Sequence, residues 1–447
     1  MSDLRSSDPA PLTASSLVRT ALPIGAFYLT EILVGLTDLA VVGALGAMPL
    51  AAVGLAKTIL LSVMVVGFAV LSIGTVLMAE RANAGQRGRV VAASAILALP
   101  FTAAAVVIAW GGRPVLGASG YDPDLIVAFD AYAGVLAWAL APALIFAALK
   151  NVLNAVGRTG IIAWLSVGIV LGNLGGSVLL VHGVGAWNGL GVAGAAWATL
   201  AVNAIAAAAL FVHVIRAGFA RFGSMPLLVV LRVLREIARL GWAAGAQQAL
   251  ESVLFVVVLY LLGLHSTLWL AAGTVVFAVM ELNYAASGAL GEVLSARIAT
   301  ARATGGDVRR LLRLGADVSG GAAAVLALAS ALFSDATVAL FSGSGTTPEA
   351  RDLMAALLFW TAPFFLFDAW QIMFIHALRG LRRTVLPMVL STSCYWAIGL
   401  GGGLLLAGPA GLGASGIWMG FCAGLVSAAC LLAILSFDGA RSGSGPL

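Results

Sequence analysis

Runs of twenty or more apolar residues recur along this whole chain, and each is long enough to cross a bilayer as a helix. Of 447 residues, 61% are hydrophobic and only 10% charged, whereas about 25% charged is usual for a soluble domain. A hydrocarbon core of roughly 30 Å admits only helices and closed barrels. Runs of this length specify helices. The fold class is an all-α polytopic membrane protein.

Twelve spans follow: 18–43, 50–76, 90–110, 126–149, 161–181, 190–215, 239–262, 268–295, 311–333, 354–377, 385–407 and 413–436. Arginine and lysine concentrate in alternate loops, in "ERANAGQRGR", "KNVLNAVGR", "RAGFARFG", "ARIATARATGGDVRRLLR" and "RGLRR". The opposite loops carry Arg113 and Arg351 among several acids. Basic loops mark the cytoplasm, so both termini are expected there, in a bacterial inner membrane. The opening stretch "MSDLRSSDPAPLTASS" lacks the apolar core of a signal peptide and reads as a tail. Cys394, Cys422 and Cys430 lie in apolar runs, which argues against a disulfide framework. Lys57, just inside the second span, is expected to snorkel to the outer interface.

The chain repeats itself. "EILVGLTDLAVVGALGAMPLAA" (31–52) aligns without gaps on "ESVLFVVVLYLLGLHSTLWLAA" (251–272), placing Arg19 on Arg239, Gly25 on Gly245, Glu31 on Glu251 and Gly43 on Gly263. Later matches keep nearly the same offset. Six spans per half start both halves on one side, so the repeats are parallel, related by an axis along the membrane normal. The expected organisation is a tail (1–17), an N-lobe (18–215), a cytoplasmic linker (216–238), a C-lobe (239–436) and a second tail (437–447).

An ionisable residue inside a span costs roughly 2.5–3.5 kcal/mol on insertion scales and marks a functional site by default. Glu251 follows Arg239, and Asp368 precedes Arg379, by spacings that put both about 17 Å from the inner boundary. At one depth they could share a cation, or stand as separate structural acids. Glu31 lies at the matching depth in the first half, and Asp38 falls seven residues further on, on nearly the same helix face. Asp38 maps onto Val258 and Asp368 onto Ala143, so the halves have diverged at their acids. Pro23 invites a kink in the first span. Gln247 and Gln371 can support the acids as hydrogen-bond donors, Asn173 can serve as a neutral ligand or pack between helices, and Glu281 is intramembrane with no partner evident from sequence.

The four histidines show no metal-ligand spacing, and "GLAKT" (54–58) lacks the features of a P-loop. No nucleotide or other cofactor is expected, no nucleic acid, and no catalytic constellation.

With these residues in view, "LPIGAFYLTEILVGLTDLAVVGALGAMPLAAVGLA" resembles the first-span signature of multidrug and toxic compound extrusion (MATE) transporters, carried by Pro23, Asp38, Gly43, Gly46 and Leu50–Ala51–Ala52. "FDAWQIMFIHALRGLRRT" resembles the tenth-span motif, and "YWAIGLGGGLLLAG" and "GLGASGIWMGFCAGL" the last two spans. The resemblance, nearest the NorM-like branch, implies a MATE-like fold of two six-helix lobes. It further implies antiport: drug-like, often cationic compounds leave in exchange for H+ or Na+. A monomer among membrane lipids is the expected state. It assigns cation coupling to Glu251, Asp368 and Asp38, with Na+ at Glu251 and Asp368 as one option, and Asn173 to the N-lobe pocket. Gly401 stands where the family usually has proline, and Phe364 where some members have tyrosine. A lipid-linked saccharide flippase of related fold is the alternative, and a membrane-embedded enzyme a more distant one.

Overall fold

The computed structural model describes residues 13–442 except Ala82, Ser119, Tyr121, Ser224 and 342–347. Eleven of its helices are long and apolar enough to cross a membrane: Ala14–Gly43, Met48–Ala79, Ala84–Ala118, Pro123–Ala155, Gly160–His182, Val192–Arg216, Leu227–His265, Leu268–Thr304, Val308–Leu332, Val385–Ala407 and Gly413–Ala440. A twelfth span is a pair, Pro348–Thr361 and Phe364–Gly380, bent by 54°. Every expected span has its helix. Three refinements are physical. The seventh helix begins at Leu227, inside the expected linker. The tenth breaks at Ala362–Pro363, where proline removes a backbone donor. The first runs through Pro23 as one helix.

Side-chain placement inverts the soluble pattern. On the fifth helix Ser166, Ile169, Asn173 and Ser177 are buried, at helical spacing. Trp164, Val167, Leu171, Leu174 and Val178 form the exposed face. Hydroxyl and amide groups need partners that lipid cannot supply, so they turn inward while apolar side chains face hydrocarbon.

Chain reversals follow local chemistry. Asp122 caps its helix by accepting from Asp124 N at 2.8 Å, with Pro123 at the first helical position. Ser266 Oγ accepts from Trp269 N at 3.2 Å and separates the seventh helix from the eighth. Gly46, with φ 125°, occupies the equivalent reversal of the first half. The repeat persists in packing: a side chain at Gly43 would touch Leu50, and one at Gly263 would touch Leu270.

By packing, the chain divides into two compact units. One joins residues up to Gly25 to those from Val253 onward; the other spans Ala26–Ser252. The first and seventh helices each change unit partway along. Packing groups residues by contact and the repeat groups them by sequence, so one partition does not test the other.

The Ala26–Ser252 unit is built round an apolar cluster including Leu60, Leu71, Phe129, Tyr132 and Leu144. At its edge Phe27 stacks on Phe146 with ring centres 5.4 Å apart. Lys150 places its ammonium 5.1 Å over the Phe27 ring and 5.4 Å over that of Tyr28. Lys150 is therefore buried within its helix and does not belong to a cytoplasmic loop as its basic neighbourhood suggested. The other unit packs Phe365, Tyr395, Trp418 and Phe421 in one cluster, and Leu294, Met373, Phe374 and Leu432 in a second. Its last two helices meet on glycines: a Cβ at Gly424 would lie 2.8 Å from Gly399 Cα, and one at Gly420 would collide with the Gly403 backbone. A π-helical segment, Cys394–Gly401, carries Gly399 into this contact.

Candidate functional site

The first helix buries Ile24, Phe27, Val34, Asp38 and Val41 along one stripe, so the acid of the sequence motif is aimed into the bundle. Asp38 is fully buried. Its Oδ2 accepts from Tyr132 Oη at 2.8 Å, Thr199 Oγ1 at 3.1 Å and Lys57 Nζ at 3.4 Å. Its Oδ1 accepts from Ser177 Oγ at 3.3 Å. Five helices thus converge on one carboxylate. A buried charge survives only when it is paired and hydrogen-bonded, and Asp38 is both.

Asn173, also fully buried, extends the network: its Nδ2 donates to Thr199 Oγ1 at 2.9 Å. Its Oδ1 is buried with no hydrogen-bond partner. Asn203 Nδ2 donates to the Thr199 carbonyl at 3.0 Å, fixing the helix turn that presents the hydroxyl. Through Thr199 the Asn173 side chain joins the Asp38 cluster.

Lys57 corrects the sequence reading. Its side chain is only 16% exposed, and it forms an ion pair with Asp38 in place of snorkelling to the interface. Gly35 makes this possible: a Cβ there would lie 3.2 Å from Lys57 Cε and 3.3 Å from Nζ. Gly35 and Asp38 sit three residues apart on one helix face, so the lysine stem runs over the glycine to reach the acid.

Beside the network lies a cavity of about 60 Å³, room for ordered water. Glu31 and Lys57 line it with Thr199 and Asn203, against an apolar wall of Leu60, Leu61, Met64, Leu136, Leu140 and Ile169. The lining thus sets one carboxylate, one ammonium, a hydroxyl and an amide against an apolar wall.

The second acid-bearing region lies in the other unit. Asp368 is buried and follows the break in the tenth span by about one turn. Asn283 Nδ2 donates to its Oδ2 at 2.8 Å and to the Phe365 carbonyl at 3.0 Å. That carbonyl lies in the first turn after the break, so one amide ties the acid to the bend. Across the same bend Trp418 Nε1 donates to Thr361 Oγ1 at 2.8 Å. Gln371 is buried in the same helix.

Glu251 accepts from Gln247 Nε2 at 3.0 Å, the expected pairing one helical turn apart. Glu251 belongs to the Ala26–Ser252 unit and Asp368 to its counterpart, each with its own partners. Glu281 is exposed on its helix. Among the described residues no three His, Cys, Asp or Glu side chains converge to hold a metal ion.

Sequence reasoning missed Tyr132, Ser177, Thr199 and Asn283 as partners of these acids, and Asn203 as the support of Thr199. Hydroxyls and amides within apolar runs carry no signal of their own, since many satisfy a nearby backbone carbonyl, as Thr30 does with Ala26. Only packing distinguishes the two uses.

The MatE family profile matches residues 23–179, which include the Asp38 network from the first to the fifth helix. Over 442 aligned residues the chain is 30% identical to the "Probable multidrug resistance protein NorM" of Bradyrhizobium diazoefficiens, covering 93% of this chain and 91% of that one. It is also 30% identical to the "Multidrug resistance protein NorM" of Burkholderia vietnamiensis, over 94% of this chain and 93% of the other. The structure superposes on the Vibrio cholerae MATE transporter VcmN in the bent form with TM-score 0.83 at 19% identity, covering 96% of this chain and 97% of that one. At that identity the likeness is one of fold.

Proposed function

We propose, from the premise that this chain belongs to the multidrug and toxic compound extrusion (MATE) family, that it is a secondary antiporter of the bacterial inner membrane. It exports drug-like, often cationic organic compounds in exchange for H+ or Na+. The lobes 18–215 and 239–436 are the bodies that alternate access, and both termini face the cytoplasm.

One observation carries the reading. Asp38 is a fully buried carboxylate within a span, held by four side-chain donors beside a cavity with an apolar wall. A structural acid needs no cavity. A coupling acid needs one, because the ion it releases must leave and the substrate must approach. Protonation of Asp38 would remove the charge that gathers Tyr132, Ser177, Thr199 and Lys57, and so would shift the packing of five helices at once. That is a two-state element which an ion can bias. Asp368, tied through Asn283 to the bend of the tenth span, is placed to do the same in its own unit.

Glu31 at the cavity wall supplies the negative charge that attracts a cationic substrate. Glu251 with Gln247 is a further ion-responsive group, and Glu281 an entry acid. A flippase for lipid-linked saccharides would need cations available for a pyrophosphate. Among the described residues Lys57 is the one cation lining the cavity, and it is engaged by Asp38, which weighs against that alternative.

Gradient-driven export of a fluorescent organic cation from proteoliposomes tests the proposal. Accumulation against its concentration gradient under an imposed pH or Na+ gradient supports antiport. Equal flux with and without a gradient refutes it.

A further inference from the structure

We propose that Lys57 is a tethered counter-cation that occupies the position a metal ion would take beside Asp38, so that this acid can exchange a proton but not Na+. This deepens the antiport reading and rests on it for the meaning of coupling.

The geometry supports the assignment in three ways. First, Asp38 Oδ2 already receives three donors, Tyr132 Oη, Thr199 Oγ1 and Lys57 Nζ, which is more than its lone pairs serve individually. A metal ion needs those lone pairs and can reach Oδ2 only by displacing the ammonium. Second, the surroundings are otherwise oxygen-rich: the Thr199 and Ser177 hydroxyls touch the carboxylate, and Asn173 Oδ1, buried without a hydrogen-bond partner, belongs to the side chain that donates to Thr199. Hard monovalent cations bind such oxygen sets. The cluster therefore has the ligands for Na+ and carries a lysine ammonium in its place. Third, Gly35 leaves the groove along which the lysine stem reaches Asp38.

The charge count is the same for the two ions, so the position that the ammonium holds decides between them. With Lys57 present, the pair is neutral, and adding Na+ would leave a net positive charge in a buried site, which is costly. Adding a proton to Asp38 also leaves one positive charge, but it frees the ammonium to turn toward the cavity that Lys57 and Glu31 both line. The titratable groups facing Asp38 are Lys57 from the second helix and Tyr132 from the fourth, with Glu31 one cavity wall away on the first. The fifth and sixth helices contribute Asn173, Ser177, Thr199 and Asn203, none of which titrates in the physiological range.

Equilibrium binding of 22Na+ to purified full-length protein in lipid nanodiscs tests this without requiring transport. The background is Asp368→Asn, so that the acid of the other unit is silent. With Lys57 in place, adding Asp38→Asn should leave bound Na+ unchanged. In Lys57→Met, Na+ binding should rise to near-stoichiometric levels, and the added ion should vanish when Asp38→Asn is combined with it. Gly35→Val, which crowds the lysine stem, should move partway in the same direction. Asp38-dependent Na+ binding with Lys57 intact overturns the proposal. So does the absence of any gain in folded Lys57→Met. If Lys57→Met does not fold, Lys57→Gln replaces it, and the arm with Lys57 intact needs no lysine variant. A protein that behaves as expected in this assay but moves no cation under any gradient would contradict the antiport reading alone.

Discussion

Asn283 holds Asp368 from the neighbouring helix, donating to its carboxylate at 2.8 Å while the same amide nitrogen donates to the Phe365 carbonyl at 3.0 Å. The acid and the broken segment of the tenth span are thereby one mechanical piece. Asn283→Leu keeps the volume and removes both bonds. Loss of a donor to a buried charge costs about 1–3 kcal/mol. The variant should unfold at lower temperature in detergent and export more slowly under a gradient. Wild-type values of both would mean that Asn283 does not position Asp368.

Phe27 makes a second, purely structural test. It is 3% exposed, stacks on Phe146, meets Phe68 edge-on and lies under the Lys150 ammonium. Phe27→Ala should destabilise the fold by about 3–5 kcal/mol, read as a fall in thermal midpoint. Phe27→Leu should cost less than half of that, since it keeps most of the buried volume but loses the ring face beneath Lys150.

Glycines of the last two helices give a matched pair. A side chain at Gly420 meets the Gly403 backbone, whereas one at Gly402 meets nothing within 4 Å. Gly420→Val should abolish stable folding, measured by monodispersity after extraction. Gly402→Ala should be neutral, or stabilising by up to about 1 kcal/mol from helix propensity.

Orientation is testable by labelling. Single cysteines at Gln86 and Gly306, both exposed, should react with impermeant reagents only from the cytoplasmic side. The matching outer positions, Ser119 and Thr347, lie outside the described residues and should react only from the outside. Labelling of Gln86 from outside would reverse the topology.

The fold was legible because span length and the basic-loop pattern depend on the bilayer and not on tertiary detail. The helices at 160–182 and 385–407 match the expected spans 161–181 and 385–407 almost residue for residue. The helical start at Leu227 was not legible, because the apolar stretch at 227–238 is interrupted by Arg232, Arg235 and Glu236 and looks like a linker when only long apolar runs are counted. Asp38 stood out as an acid in hydrocarbon, and Asn173 as an amide at depth. Lys57 did not, since a lysine near a span end usually snorkels, and only the groove at Gly35 reveals where its stem goes. Lys150 was misplaced for a similar reason: its basic neighbours suggested a loop, while aromatic faces from the first helix receive it inside the bundle.

The central claim is that buried carboxylates convert an ion gradient into export. Its most direct measurement is accumulation of a fluorescent organic cation in proteoliposomes under an imposed pH or Na+ gradient, comparing wild type with Asp38→Asn and Asp368→Asn. Asparagine keeps the shape and the ability to accept from Tyr132, Thr199 or Asn283, but removes the charge that an ion neutralises. Each variant is predicted to stay folded, to bind the organic cation, and to lose gradient-driven accumulation by at least about tenfold, equivalent to about 1.4 kcal/mol. Accumulation at wild-type levels by both variants, under both gradients, would contradict the account and leave these carboxylates as structural groups.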